Sequence, residues 1–134
     1  MPSRKIDDLV PEMQEKAREF SWRMSEAGVP FIFTCTRRTK EEQEELYARG
    51  RTKPGKKVTW TMKSKHIDGL AFDIVICKAG IPQWDVKADV DADGIPDYTE
   101  AGQIGEAIGL VWGGRWKDSK GRPNPDFPHF ELPT

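Results

Sequence analysis

Long hydrophobic runs are absent from this sequence of 134 residues. No apolar run approaches the roughly 20 residues of a membrane span, and the N-terminal segment lacks the apolar stretch of a signal peptide. We therefore expect synthesis in the cytoplasm and no stable membrane association. The net charge of −1 argues against a dedicated nucleic-acid binder. With 37% hydrophobic and 32% charged residues, the chain suits one compact domain over residues 1–134, which we expect to be monomeric.

Cysteine and histidine are scarce. Cys35 and Cys77 are the two cysteines, and no CxxC pattern places them in a zinc-finger or thioredoxin motif. Because both lie in predicted strands, buried thiols are favoured over a disulfide. His66 and His129 are the two histidines, so any histidine-based metal or acid-base chemistry must use one or both of them.

The charges are unevenly distributed. Residues 1–65 carry 15 Lys/Arg against 10 Asp/Glu, whereas residues 66–134 carry 6 against 12. The acidic C-terminal half suggests bound cations. Residues 46–65 contain no acidic residue and are interpreted as a basic loop. This loop is either a solvated surface segment or an edge that attracts an anionic polymer such as a cell wall.

Hydrophobic periodicity predicts a single α+β domain. An amphipathic helix begins behind Asp7 and Asp8 and stops at Gly28. A second helix begins with a capping box formed by Thr39 and Glu42. The remaining predicted elements are the strands at 30–36, 71–77, 111–112 and 129–132 and the helix at 98–109. The segment between the strand at 71–77 and about residue 96 is predicted to be a loop.

The segment 64–73 carries the most informative pattern. His66 and Asp73 are separated by small residues, and an aspartate inside an apolar strand is costly unless it is paired or coordinated. Zinc accepts imidazole nitrogen and carboxylate oxygen, and a catalytic site uses three protein ligands. With His129 as the third ligand, the pattern predicts a zinc site with an open position. The structural alternative has His66 capping a turn and Asp73 paired to an arginine.

Several motifs in the same order resemble one peptidase superfamily. They are Ser64-x-His66-x-x-Gly69-x-Ala71-x-Asp73, Asp126-x-x-His129, the stretch from Arg38 to Gly55, and Trp112-Gly-Gly-Arg-Trp116. Together they look like the zinc peptidases of the D-alanyl-D-alanine carboxypeptidase and L-alanyl-D-glutamate endopeptidase superfamily, which includes VanY-like proteins and phage endolysins. The resemblance implies a small antiparallel sheet flanked by helices, as in the hedgehog and D-Ala-D-Ala-peptidase folds.

The resemblance also implies roles for individual residues. His66, Asp73 and His129 correspond to the zinc ligands, and Asp126 corresponds to the catalytic carboxylate that handles the proton. Arg38 corresponds to the family arginine and is expected to donate to the developing oxyanion. The alternative for this arginine is a salt bridge to one of the glutamates at 41 and 42.

Glu131 competes with Asp126 for the role of base. In a strand, residues 129 and 131 point to the same face, so Glu131 is either the base or a residue that supports His129 from behind. The family pattern favours Asp126. Ser64 is expected to orient the site through its hydroxyl group.

Residues 89–100 match the twelve-residue calcium-loop pattern. The predicted oxygen ligands are Asp89, Asp91, Asp93, the Ile95 carbonyl, Asp97 and Glu100. The residues before the loop do not predict the entering helix of a paired EF-hand, so an isolated loop is expected. The alternative is an acidic solvated turn ahead of a helix. Calcium here would be structural, or would regulate the enzyme by ordering the segment that delivers Asp126 and His129.

The leading functional expectation is a zinc-dependent peptidoglycan peptidase. It is expected to be an L-alanyl-D-glutamate endopeptidase acting as a bacteriophage endolysin, made in the host cytoplasm and acting on the cell wall after release. An alternative with the same chemistry is a D,D-carboxypeptidase that removes terminal D-Ala. An alternative of another class is a non-catalytic calcium- or wall-binding module.

Overall fold

The computed structural model describes residues 2–57, 64–90 and 92–133. In these residues three α-helices and a small sheet form one α+β unit. The helices are α1 (Pro11–Ala27), α2 (Lys40–Ala48) and α3 (Asp97–Ala107). The strands are β1 (Phe31–Cys35), β2 (Ala71–Lys78), β3 (Ile81–Gln83), β4 (Val111–Trp112) and β5 (His129–Glu131). Short 3₁₀ turns cover Ile6–Asp8 and Gly113–Arg115.

The sheet is antiparallel at every described pairing. Its strand order is β1-β2-β5-β4, and β3 also pairs with β2. The register places Asp73 of β2 opposite Cys35 on one side and opposite His129 on the other. Directly opposed residues on neighbouring strands project to the same face of a sheet. Cys35, Asp73 and His129 therefore form a row across three strands.

The other face of the sheet carries the hydrophobic core. Phe72, Ile74 and Ile76 alternate with Asp73 along β2 and are fully buried in one cluster with the apolar stripe of α1. Phe20 of α1 lies at the centre of this cluster, because its ring lies 5.0 to 5.3 Å from those of Phe31, Phe72 and Phe130. One face of β2 thus holds the fold together, and the other face is available for chemistry.

The predicted first helix is confirmed. Its buried positions are Met13, Ala17, Phe20 and Met24. Pro11 occupies the first turn, where its missing N–H group leaves no hydrogen bond unmade. Gly28 ends the helix in the left-handed conformation, with φ of 76°.

Two glycines let α3 lie directly on the strands beside it. A Cβ atom at Gly102 would lie 2.2 Å from the ring of Trp112 in β4, and one at Gly105 would lie 2.6 Å from the ring of Phe130 in β5. Any larger side chain would push the helix away from the sheet. Tyr98 also ties α3 to the sheet, because its hydroxyl donates to the Gln83 carbonyl at 2.8 Å and accepts from the Ile76 amide at 3.2 Å.

The predicted elements differ from the structure mainly at their ends. The capping box of α2 is confirmed in both directions by Thr39 and Glu42. The helix predicted at 98–109 begins at Asp97 and ends at Ala107. The segment predicted as a loop after β2 contains β3, which is a short edge strand. Cys35 and Cys77 are both buried free thiols, as predicted.

The basic loop predicted at 46–65 lies partly outside the described residues, which omit 58–63. Within the described part, Lys53 pairs with Glu45 of α2, and the Arg51 guanidinium lies 3.9 Å from the centre of the Tyr47 ring. The helices in the described ranges include none that is both long and apolar enough to cross a bilayer.

Candidate metal centre

Two histidines and one aspartate converge at one point on the face of the sheet opposite the hydrophobic core. Asp73 Oδ1 lies 2.9 Å from His129 Nδ1 and 3.2 Å from His66 Nε2. The two imidazole rings meet edge to face, with centroids 5.2 Å apart. His66 and His129 are buried, with 2% and 7% of their surfaces exposed. The structure therefore brings together the three residues that the sequence predicted as metal ligands.

The outer nitrogen of each imidazole is held by a partner behind it. His66 Nδ1 lies 2.9 Å from the Thr36 carbonyl, and His129 Nε2 lies 2.9 Å from Glu131 Oε1. A proton on each outer nitrogen directs the lone pair of the inner nitrogen toward Asp73. Among the described residues, His66 Nε2 is buried, and its 3.2 Å approach to Asp73 Oδ1 lacks the geometry of a hydrogen bond. Two imidazole nitrogens and one carboxylate oxygen together form a donor set that a tetrahedral zinc ion accepts.

Charge interactions within this cluster are strong. Burial opposes ionisation of Asp73, but its contacts with His129 and His66 hold the pKa of the Asp73 carboxyl well below its usual range. Burial alone would lower the pKa of each histidine. Contacts with Asp73, joined by Cys35 at His66 and by Glu131 at His129, override this effect and raise the pKa of His66 to about 10 and that of His129 to about 9. Without a metal, protons on both imidazoles balance the carboxylates of Asp73 and Glu131.

A tight turn presents His66. The Ser64 hydroxyl accepts a hydrogen bond from the His66 amide at 3.2 Å and so fixes the backbone of the turn at His66. Gly69 closes the turn with φ of 72°, and a Cβ there would lie 3.2 Å from the Asp8 carbonyl oxygen. The glycine is thus required both by its backbone conformation and by the close approach of the N-terminal segment.

Asp126 reaches the site through an equally close backbone contact. Its amide donates to the Gly113 carbonyl at 2.8 Å, and its carbonyl accepts from the His129 amide at 3.2 Å. A Cβ at Gly113 would lie 2.5 Å from the Asp126 carbonyl oxygen and 3.2 Å from His129 Cβ. The glycine in the 3₁₀ turn therefore makes room for the segment that bears both residues.

The two carboxylates near His129 differ in pKa. Partial burial raises the pKa of Asp126, and the negative charge of Asp73 adds to the effect. Burial would do the same to Glu131, but hydrogen bonds from His129 and Lys65 lower its pKa instead. Lys65 Nζ lies 2.7 Å from Glu131 Oε2. Opposite shifts in neighbouring carboxyl groups indicate different roles, and the raised one suits proton transfer.

Arg38 lies beside the same centre. Its amide donates to the His66 carbonyl at 3.0 Å, its Nη1 donates to Gln43 Oε1 at 2.7 Å, and its Nη2 lies 3.6 Å from Cys35 Sγ. Among the described residues, Arg38 Nε is buried and makes no hydrogen bond. No ion pair to Glu41 or Glu42 is found in the described ranges, so the surface salt-bridge alternative for Arg38 is not supported.

Sequence reasoning missed several groups that touch this centre. Gln43 is fully buried on α2, but in the sequence it is one polar residue among several and gave no signal. Cys35 Sγ lies 3.5 Å from His66 Nδ1. Cys35, His66 and Asp73 together offer ligand atoms within 4.8 Å of one another. The Thr36 carbonyl left no signal in the residue pattern. The Trp116 ring lies 5.0 Å from the His129 ring, and its motif was noted in the sequence without a role for the residue.

The predicted calcium loop is a separate cluster before α3. Asp89 accepts from the amides of Asp93 at 3.2 Å and Gly94 at 2.8 Å, and Asp93 accepts from the Ile95 amide at 2.8 Å. Asp97 is fully buried and accepts from the Val90 amide at 2.7 Å. The predicted ligand at position 91 lies outside the described residues.

Glu100 lies in the first turn of α3, as predicted for the last residue of the calcium loop. Gly94 adopts φ of 87°, which fits the sharp turn at the sixth position of the loop pattern. Before this loop, the described residues form strand β3 rather than an entering helix. The expectation of an isolated loop rather than a paired EF-hand agrees with this arrangement.

Comparisons with known proteins give the family. A family model described as D-alanyl-D-alanine carboxypeptidase, of the M15 peptidases, matches residues 57–132. The peptidoglycan L-alanyl-D-glutamate endopeptidase CwlK of Bacillus subtilis is 35% identical over 128 residues, which cover 93% of this chain and 74% of CwlK.

Two solved structures show the same fold. The L-Ala D-Glu endopeptidase ChiX of Serratia marcescens superposes with a TM-score of 0.68 at 24% identity, over 99% of this chain and 89% of ChiX. The vancomycin-resistance D,D-dipeptidase VanXYg, solved in complex with a D-Ala-D-Ala phosphinate analogue, gives a TM-score of 0.63 at 20% identity, over 92% of this chain and 50% of its own. Since the family model covers more than half of the chain and CwlK is similar over nearly all of it, the resemblance seen in the motifs is confirmed: the chain belongs to the M15 peptidases and is a metallopeptidase.

Proposed function

We propose that this metallopeptidase is a zinc-dependent peptidoglycan peptidase that cleaves the L-alanyl-D-glutamate bond of stem peptides. The observation that carries the proposal is the convergence of His66, Asp73 and His129 on one point, with Asp126 beside them. The similarity to CwlK over most of both chains supports the choice of bond.

The donor set suits zinc. His66 Nε2, His129 Nδ1 and one Asp73 oxygen would hold the ion, and the Thr36 carbonyl and Glu131 would hold the two imidazoles in the required tautomers. A zinc ion with three protein ligands supplies Lewis acidity, which polarises a carbonyl and acidifies water. The remaining work of the reaction falls to side chains around it.

Proton transfer is assigned to Asp126. Both imidazoles are committed as ligands, so neither is free to act as a general base. Asp126 has a raised pKa, whereas Glu131 is held ionised between His129 and Lys65. In this assignment Asp126 accepts the proton of the attacking water and returns it to the departing amine, and Glu131 keeps His129 in place.

Arg38 is assigned to the developing oxyanion. Gln43 and the His66 carbonyl fix its guanidinium and its backbone at the edge of the centre. A donor fixed before the reaction stabilises developing charge without having to reorganise during it. Ser64 positions His66 and takes no part in the chemistry.

Mass spectrometry of purified peptidoglycan after digestion tests the bond. We expect new N-terminal glutamate and new C-terminal alanine at the L-Ala-D-Glu bond. Loss of a single terminal D-Ala would instead support the D,D-carboxypeptidase alternative, which is favoured by the description of the matching family model. Intact peptidoglycan with a zinc-loaded protein would contradict both. Membership of a metallopeptidase family disfavours the non-catalytic module.

We further propose a biological role as a bacteriophage endolysin, made in the host cytoplasm and reaching the wall after release. The small peptidase fold and the proposed wall substrate support this role. Expression in a bacterial host tests it: lysis is expected only when the inner membrane is permeabilised. Lysis without permeabilisation, or no lysis despite active enzyme in the lysate, would contradict the role.

We also propose that the loop at 89–100 binds calcium. The carboxylate of Asp89 points into a loop closed around it, and Gly94 provides the turn that the pattern requires. The exiting helix α3 packs through Gly102 and Gly105 on β4 and β5, and β5 bears His129. An ion in the loop would therefore stabilise the helix that supports the metal centre. Unchanged activity in excess EGTA, with bound zinc measured as retained, would contradict a regulatory role.

A further inference from the structure

The N-terminal segment, residues 3–10, crosses the end of β1 behind the candidate metal centre. The Ser3 amide donates to the Arg37 carbonyl at 2.9 Å, and the Ser3 carbonyl accepts from the Thr36 amide at 2.7 Å. The Thr36 hydroxyl donates to the Lys5 carbonyl at 2.8 Å. The segment therefore holds fully buried Thr36 by its amide and its hydroxyl, while the Thr36 carbonyl contacts His66 Nδ1 at 2.9 Å.

The same segment contacts the far end of the turn that presents His66. The Val10 amide donates to the Gly69 carbonyl at 3.2 Å, and the Gly69 amide donates to the His66 carbonyl at 3.3 Å. A Cβ at Gly69 would lie 3.2 Å from both the Asp8 carbonyl oxygen and the Val10 nitrogen. The N-terminal segment thus reaches His66 by two routes, one through Thr36 and one through Gly69.

The segment has a defined shape of its own. The Ser3 hydroxyl donates to the Asp8 carboxylate and accepts from the Lys5 amide at 3.1 Å. Residues Ile6–Asp8 form a 3₁₀ turn, and Leu9 is buried in the hydrophobic core with 3% of its surface exposed. Because one end is anchored in the core and the other is folded on itself, the segment can hold Thr36 in a fixed position.

Thr36 needs this support because it lies just beyond the sheet. Strand β1 ends at Cys35, which is also the last residue of β1 paired with β2. The bonds from Ser3 and Lys5 take over where this pairing stops. The partner on the second nitrogen of a ligating histidine fixes the orientation of its ring, so the placement of the Thr36 carbonyl bears directly on His66.

We propose that the N-terminal segment is a positioning element of the zinc site, which orients the His66 imidazole through the Thr36 carbonyl and the Gly69 turn. The inference rests on the proposed function, in which His66 Nε2 is a zinc ligand. The residues of the segment act through Thr36 and Gly69, so they set zinc affinity and not the rate of the chemical step. Because coupling between binding equilibria is reciprocal, zinc also stabilises the docked segment.

Thr36→Val tests the route through Thr36, because it keeps the shape of the side chain and removes its bond to the Lys5 carbonyl. Loss of a partner that directly contacts a ligating histidine costs about 10- to 100-fold in metal affinity. The Thr36 hydroxyl lies one contact further out, so zinc affinity should fall about three- to tenfold. Thr36→Ser keeps the hydroxyl and should restore most of the loss. Competition with a chromogenic chelator measures the affinity, and turnover at saturating zinc should stay close to the wild type.

Thr39→Val is the matched control for a loss of stability. The Thr39 hydroxyl also holds a backbone group, the Glu42 amide at 3.1 Å, but it does so in the cap of α2. This variant should lower the free energy of unfolding and leave zinc affinity unchanged.

A second pair of variants leaves Thr36 intact. Ser3→Ala removes the hydroxyl that shapes the segment, and Ser3→Pro also removes the N–H group that donates to the Arg37 carbonyl. Ser3 lies outside the hydrophobic core, so both proteins should fold. Zinc affinity should be lower in Ser3→Pro than in Ser3→Ala.

Hydrogen exchange in the wild-type protein tests the reciprocal effect. Zinc should slow exchange of the Thr36 and Val10 amides, which join the segment to the rest of the site. The Val29 amide, which donates to the Met24 carbonyl at the end of α1, is the reference and should slow less. Equal slowing of all three amides would contradict a specific coupling.

The outcomes separate this role from the function on which it rests. Unchanged zinc affinity in Thr36→Val and Ser3→Pro would overturn the positioning role and leave the zinc site intact. An equal loss of affinity in Thr39→Val would also overturn it, because the effect would then follow stability alone. If the wild-type protein binds no zinc, or His66→Gln binds zinc as tightly as the wild type, the proposed function fails and the positioning role fails with it.

Discussion

The metal centre and the acidic loop at 89–100 both collect carboxylates, but they are built in opposite ways. The metal centre is assembled mainly by residues distant in the sequence: Thr36 lies behind His66, Asp73 against His129, and Lys65 against Glu131. In the acidic loop, Asp89 and Asp93 accept from amides two to five residues away.

This difference determines what a bound ion would do in each place. The loop carboxylates already have backbone donors, so an ion adds to an arrangement that is formed locally. The metal centre keeps one buried nitrogen without a hydrogen bond and two imidazoles that share one carboxylate. Its arrangement is complete only when a cation, either protons or a metal ion, balances Asp73. Loss of the ion should therefore matter far more at the metal centre than in the loop.

The largest effect is expected at Asp126. Asp126→Asn removes the proposed base while keeping its size, and turnover should fall about 10²- to 10⁴-fold. Bound zinc should stay the same, because Asp126 is not one of the converging ligands. Rates on a soluble stem peptide and metal analysis of the same sample provide the measurement. Wild-type turnover in Asp126→Asn would show that another residue handles the proton.

The pH dependence of metal binding should be steep. Without metal, the pKa of His66 is raised to about 10 and that of His129 to about 9, so both imidazoles are protonated at pH 7. Zinc must displace about two protons, and its affinity should fall about 100-fold for each unit that the pH is lowered near neutrality. Calorimetry in buffers of different ionisation enthalpy measures the protons released. Release of none at pH 7 would contradict the ligand assignment.

The same shifts predict how the stability of the metal-free protein varies with pH. A raised histidine pKa stabilises the folded state fully below the unfolded value near 6.5, and the contribution is lost as the pH rises through the folded values. The metal-free protein should therefore lose stability between about pH 7 and 10, and zinc-loaded protein should not. Urea titrations of both forms across this range compare them.

A smaller effect is expected at Glu131. Glu131→Gln keeps a hydrogen-bond acceptor but removes the charge shared with Lys65 and His129. Zinc affinity should fall about 10- to 100-fold, and turnover at saturating zinc should remain within about tenfold of the wild type. Glu26→Gln, at an exposed carboxylate on α1, is a control for the loss of one charge. Complete loss of turnover in zinc-loaded Glu131→Gln would make Glu131 the base instead of Asp126.

The smallest effect on activity is expected from the acidic loop. Calcium at about 100 times its dissociation constant should stabilise the protein by about 2.7 kcal/mol. Asp93→Ala should abolish this stabilisation while leaving the turnover of zinc-loaded protein within about twofold. Thermal unfolding with and without calcium measures it. If calcium does not shift the midpoint of thermal unfolding of the wild-type protein, the loop is an acidic turn whose carboxylates accept hydrogen bonds from its own backbone amides.

Much of the fold was visible in local patterns. The stripe from Met13 to Met24, the capping box at Thr39 and the apolar strand around Asp73 are each contained in a short window, and each is confirmed. Strand β3 was missed because three exposed or half-exposed residues carry no periodic signal, and its pairing with β2 holds it in place.

The candidate site divides in the same way. The spacing of His66 and Asp73 is a local pattern, and the scarcity of histidine left His129 as the other imidazole. The support behind these residues was not predictable. Gln43 contacts Arg38 only because α2 folds back on the end of β1. The Thr36 carbonyl contacts His66 although the two residues are 30 positions apart in the sequence.

The sequence by itself determined the donor types: two imidazoles, an aspartate inside an apolar strand, and carboxylates three residues before and two residues after His129. These follow from residue identity and spacing, which tertiary contacts do not alter. Only the tertiary structure decided which carboxylate has the raised pKa and which stays ionised in an ion pair with a lysine. That outcome depends on Lys65 lying beside Glu131 and on Gly113 admitting Asp126 to the site, and electrostatic energies depend on distance in space, not in sequence.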